Sequence, residues 1–114
     1  MKYIKTFESS NKLLELGTYV ICDEETSNIE LKNFLKNNIG VIKYYFDGIN
    51  EDLPYMVYYK NLKNLKKSSI GIIDRFNEEI KFPDCRAMRE KEIIHHSKNK
   101  EDLEPFILAN KFNI

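Results

Sequence analysis

The 114-residue chain has the length of one domain with one modest core. Apolar residues make up 42% and charged residues 32%, a globular balance that excludes a disordered chain. Eighteen basic residues match eighteen acidic ones, so long-range attraction to DNA or an anionic membrane has no net driving force, and a basic nucleic-acid-coating protein is excluded.

Residues 1–15 read as an N-terminal tail: a short β-prone piece (Tyr3, Ile4, Phe7), a polar Ser9-Ser10-Asn11 break, then Lys12 to Leu16 as a turn or short helix ended by Gly17. Thr18 to Cys22 is β-branched and aromatic, bounded by Gly17 and Asp23-Glu24-Glu25, and predicts a strand. A helix over 28–37 follows. Ser27 is placed to cap it with Glu30 closing a capping box, and Leu31, Phe34 and Leu35 fall on one face. Val41 to Phe46 predicts a second strand. The loop beginning at Asp47-Gly48 and running through Pro54 leads to a third, Tyr55 to Tyr59, antiparallel to it. Both are apolar on both faces, which requires a sheet that curls on itself or is covered by helices.

Residues 60–69 read as a polar, lysine-rich connection. Beyond it Ile70, Ile73, Phe76 or Asn77, and Ile80 keep a rough helical spacing that Gly71 weakens, so 69–80 reads equally as helix or structured loop. Cys85 to Met88 predicts a fourth strand, Arg89 to Glu92 a tight turn, and Ile93 to His96 a last short strand or helical turn. Asn99 to Phe112 predicts a helix with Asn99 as cap and Glu101, Asp102 and Glu104 near its positive end. Pro105 fits only its first turn, which implies a late start or a kink there.

The order of elements resembles the SH3-like small barrels. In those, a G-x-x-V strand (here Gly17 to Val20), an I-G-x-I strand (Ile39 to Ile42) and a Y-x-V-x-Y strand (Tyr55 to Tyr59) recur in that sequence. The start, Met1 to Glu8, is similar to small uncharacterised proteins of tailed bacteriophages. The resemblance covers 16–96 as an SH3-like antiparallel barrel, with a helix inserted after the first strand, an insertion at 60–80, and a C-terminal helix over 97–114 packed on or beside it. It implies a mainly β, α+β fold of a kind used to bind peptides, nucleic acid or other subunits, without choosing among them.

No catalytic motif stands out. Cys22 and Cys85, the only cysteines, are too far apart in sequence for a redox C-x-x-C or half a zinc site, and read as reduced thiols. His95 and His96 are adjacent, so on a strand they point to opposite faces and do not share a metal. A Cys85–His95 nucleophile and base pair lacks any sequence sign of an activated thiol. The four glycines make no phosphate loop, and no cofactor is expected.

Two patches remain as binding candidates. Tyr44, Tyr45, Tyr55, Tyr58 and Tyr59 sit on two strands expected to pair, and alternation leaves part of that aromatic set outside the core, a surface suited to a protein partner or self-association. Lys60, Lys63, Lys66 and Lys67 beside Tyr58 and Tyr59, with Arg86 on a strand nearby, offer the cation-and-aromatic mixture of a single-stranded nucleic-acid site. The expectation is therefore a non-enzymatic binding module acting through protein contacts, with nucleic-acid binding as the alternative. Lacking a signal peptide or a run of about 20 apolar residues, it is expected in the cytoplasm, the host's if phage-encoded, and not in a membrane.

Overall fold

The computed structural model describes residues 13–45, 55–68 and 84–112. Five strands, β1 (Tyr19–Cys22), β2 (Gly40–Tyr45), β3 (Tyr55–Tyr58), β4 (Cys85–Met88) and β5 (Ile93–Ser97), form one sheet in the order β4-β3-β2-β1-β5. Every neighbouring pair is antiparallel, so the first four strands lie side by side in chain order and the last returns to the first. The three segments expected to share a sheet do share it. Helix α1 (Ile29–Lys36) follows β1, α2 (Leu62–Ser68) follows β3, and α3 (Glu104–Phe112) ends the chain. The fold is α+β.

Strand alternation sorts the side chains onto two faces. Val20, Cys22, Ile42, Tyr55, Val57 and Met88 point to one side, where Leu31 and Leu35 of α1, Leu62 of α2 and Tyr59 complete the main core. Met56, Cys85 and Ala87 form a second buried cluster on the other side of β3 and β4, with Tyr58 against it. That second cluster is why β3 reads as apolar on both faces. Full burial of Leu31 and Leu35 contributes about 1.5–3 kcal/mol each to holding α1 on the sheet.

Gly40 admits one of the main core's two tyrosine rings. A Cβ there would lie 2.5 Å from Val57 Cγ1 and 2.7 Å from the Tyr59 ring, so the I-G-x-I glycine is a packing requirement. Gly17 has a different reason: its φ of +89° suits glycine at the turn into β1. Further along β2, a bulge between Ile42 and Tyr44 inserts Lys43 into the ladder, after which Tyr44 faces Met56 and Tyr45 faces Tyr55.

The helix ends differ from the sequence reading. Asn28, not Ser27, caps α1, its Oδ1 accepting from the Leu31 amide at 3.0 Å; asparagine caps as well as serine, and the cap moves one residue on. Residues 62–68 are helical where the lysines suggested only a connection: Leu62 is buried, Leu65 packs beside it one turn later, and Asp84 Oδ1 accepts from the Lys63 amide at 3.4 Å. Asn99 makes no side-chain cap. Ser97 Oγ instead accepts from the Asn99 amide and donates to Asp102, and a 3-10 turn (Lys100–Asp102) precedes α3, which starts at Glu104 with Pro105 in its first turn. The segment 69–80, read as helix or loop, lies outside the described residues, as does most of the 1–15 tail.

Candidate binding surfaces

The five tyrosines do not form one face. Tyr55 and Tyr59 are fully buried, which removes both from any docking surface. Each points inward because it lies two residues from Val57, on the same core side of the chain, and Tyr59 meets Phe34 edge to face with ring centroids 5.7 Å apart. Burial raises the Tyr59 hydroxyl pKa well above 10.0; Cys22 and Glu24 push it the same way and Arg86 opposes. Tyr44 and Tyr45 are exposed, and Tyr58 is half-buried with the Lys43 ammonium 5.6 Å above its ring.

Two of the tyrosines hold the N-terminal segment. The Leu14 amide donates to Tyr55 Oη at 3.0 Å, and Tyr45 Oη donates to the Leu14 carbonyl at 2.7 Å. Burial raises the Tyr55 pKa, and the Leu14 hydrogen bond opposes that rise. The pair thus grips both polar groups of one residue, forty-one positions from Tyr55.

The basic patch also loses a member. Arg86 faces the core opposite Val57 and makes a two-pronged ion pair with Glu24, which is 1% exposed; Nη2 to Oε1 is 3.0 Å, and Nε meets Oε2. An arginine so placed is structural, because leaving either charge unpaired in the interior is costly. Lys60 and Lys63 remain exposed. The Lys66 and Lys67 side chains lie outside the described set.

A concave site that neither patch foresaw lies beside α3. A cavity of about 420 Å³ is lined by Asn37, Asn38, Ile39, Lys60, Asn61, Lys100, Glu104, Ile107 and Leu108. Three contacts position its walls. Leu103 is buried at the start of α3, the Asn110 side-chain amide donates to the Lys36 carbonyl at 2.8 Å, and Phe106 stacks on His95 at 3.7 Å between ring centres. The side-chain amides of Asn37 and Asn38 turn back to the Asn33 and Phe34 carbonyls, both at 2.8 Å, and so satisfy the last turn of α1. Phe106 and Leu108 stay 42% and 53% exposed. The signal for this site was in the sequence: Phe106-Ile107-Leu108-Ala109 is an unbroken apolar run, wider than one core-facing stripe requires.

The residues weighed for chemistry have structural surroundings. Cys22 and Cys85 are both buried thiols outside any disulfide, in the main and second clusters respectively. His95 is half-buried under Phe106, while His96, next along β5, is exposed on the other side. Among the described residues, no helix is long and apolar enough to cross a membrane. No protein-family model, curated protein or solved structure matches the chain.

Proposed function

We propose that this protein is a non-enzymatic binding module that works through protein–protein contacts, built on an SH3-like barrel with α3 as part of its recognition surface. The barrel reading is supported by the connection between the two edge strands. In a flat five-stranded sheet β4 and β5 would lie about 19 Å apart, four spacings of about 4.8 Å. Only Arg89 to Glu92 join them, and Glu90–Glu92 form a 3-10 turn that advances about 2 Å per residue. So short a link favours a sheet curled until its edges approach. The Arg86–Glu24 pair, which ties β4 to the residues just after β1, favours the same curl.

The observation that carries the functional reading is Leu108, exposed on α3 at the edge of a walled cavity. Leu108 gives a partner apolar area to cover, and with Ile39 and Ile107 of the cavity wall it forms a centre with a polar rim. Binding is tested by comparing wild type with Leu108→Asp in affinity capture from host extract and in light scattering. Partner capture or self-association that depends on Leu108, with an unchanged circular-dichroism spectrum, is the expected result. A monomer whose captured proteins are the same in both forms rejects the reading.

Nucleic-acid binding through Lys60 and Lys63 is the weaker reading. The Lys43 ammonium already occupies one face of Tyr58, Tyr59 is buried, and Arg86 is paired inside, so the aromatic and guanidinium parts of that patch are committed elsewhere. Salt-sensitive binding of single-stranded oligonucleotides, weakened by Lys60→Gln with Lys63→Gln, would favour it over protein contact.

A further inference from the structure

The arm that leads into β1, Leu13 to Leu16, is held on the sheet through one residue. Leu14 is half-buried against the main core, and its two backbone groups are bonded to the Tyr55 and Tyr45 hydroxyls. On either side Leu13 and Leu16 are 44% and 51% exposed. Glu15 reaches Lys98 in an ion pair open to solvent, a kind that adds little. The hydrogen-bonded ladder of β1 begins only at Tyr19, after the arm. Among the described residues, then, the arm is gripped by one leucine side chain and two phenols. A segment held so lightly opens locally far more often than the sheet unfolds.

A single turn brings the arm to this place. The Thr18 amide donates to the Glu15 carbonyl at 3.2 Å, closing a turn over Glu15 to Thr18 in which Gly17 stands third with its positive φ. A turn of that shape calls for glycine at the third position, and it folds the arm back over its own sheet. No atom lies within 4 Å of where a Gly17 Cβ would sit, so backbone conformation, not packing, reserves the position for glycine. When the turn straightens, the arm leaves with its leucine and both backbone groups unmatched. Tyr45 and Tyr55 are left with a slot that matches them.

We propose that two copies of this chain associate by exchanging these arms about Gly17, the slot of each receiving Leu14 of the other. The occupant is a second copy because the fit of this segment to this slot is already present within one chain. Exchange reproduces every contact of the arm: Tyr55 and Tyr45 bond the backbone of the incoming leucine, and Glu15 meets Lys98 across the pair. No contact is lost, and only the turn at Gly17 has to open. The protein-contact reading above thereby gains a second surface, one that uses no residue of α3.

The test is light scattering of the full chain across a concentration series. Gly17→Val, a β-branched residue where φ is positive, opens the turn and lowers the dimer dissociation constant by about tenfold or more. Adding Leu14→Ser to Gly17→Val returns the chain to monomer, whereas adding Leu108→Asp leaves the dimer intact. A Gly17→Val chain that stays monomeric overturns exchange, and so does a dimer that survives Leu14→Ser. Loss of the dimer with Leu108→Asp assigns association to α3, which overturns exchange while leaving the α3 reading standing. A second measurement needs no variant: in the wild-type chain the Leu14 amide exchanges its hydrogen about a hundredfold faster than the Val57 amide. Equal rates would mean that the arm opens only with the whole sheet, and they too overturn the proposal.

Discussion

The core side of β3 and β4 and the flank formed by α3 with the end of α1 use similar residues to opposite ends. On the core side, the Tyr59 ring fills the space left by Gly40, and Arg86 is clasped by Glu24. On the flank, Phe106 and Leu108 stand out in solvent, and Asn37 Oδ1 waits without a donor among the described residues. A tyrosine or an arginine is thus no sign of a binding surface by itself. Apolar area left uncovered at the edge of a walled cavity is the better sign, and the flank has it.

Substitutions can break this contrast, and the largest effect should come from the core side. Arg86→Ala leaves Glu24 buried without its partner and should cost about 3–5 kcal/mol in urea unfolding, whereas Arg86→Met with Glu24→Leu should recover most of the loss. A double variant as unstable as the single one would mean that the pair is not what the interior lacks. Gly40→Ala forces Val57 or the Tyr59 ring to move, an overpacking cost of about 1–3 kcal/mol by the same measurement.

Tyr59→Phe should be milder, within about 1 kcal/mol of wild type at neutral pH, because among the described residues the hydroxyl has no stronger partner than the Cys22 thiol. Its signature is alkaline. The folded-state pKa of Tyr59 is raised, so its contribution is fully present below the unfolded value of about 10 and is lost as pH rises through the folded value. Wild type should therefore lose stability above about pH 10 more steeply than Tyr59→Phe. Parallel stability–pH curves would contradict the buried placement of this phenol. The smallest stability effect belongs to the flank: Leu108→Ser should shift unfolding by no more than about 0.5 kcal/mol while abolishing any α3-dependent binding.

The sheet was legible from the chain because its signals are local and repeated. The glycine before β1 and the β-branched and aromatic runs each mark a segment whatever its tertiary neighbours. Helix α1 was legible from Leu31, Phe34 and Leu35, and only its cap slipped by one residue. Helix α2 was hidden because Lys63, Lys66 and Lys67 dominate its composition, while its two anchoring leucines are too few to show a period. The candidate site was least legible. Which tyrosines turn inward depends on Gly40 and on the bulge at Lys43, and the pairing of Arg86 with Glu24 joins residues 62 apart. The cavity brings together three stretches of chain, near 37–39, 60–61 and 100–108, with no shared motif. Alternation alone does not reach that far.

The double grip of Tyr45 and Tyr55 on Leu14 has a practical corollary for anyone shortening the protein. A version begun at residue 16, where the barrel-like pattern starts, would strip both phenols of their bond to Leu14 and loosen the hairpin ends that carry them. The smallest faithful fragment must therefore retain Leu14, whose backbone acts as a strap across that end of the sheet and belongs to the fold.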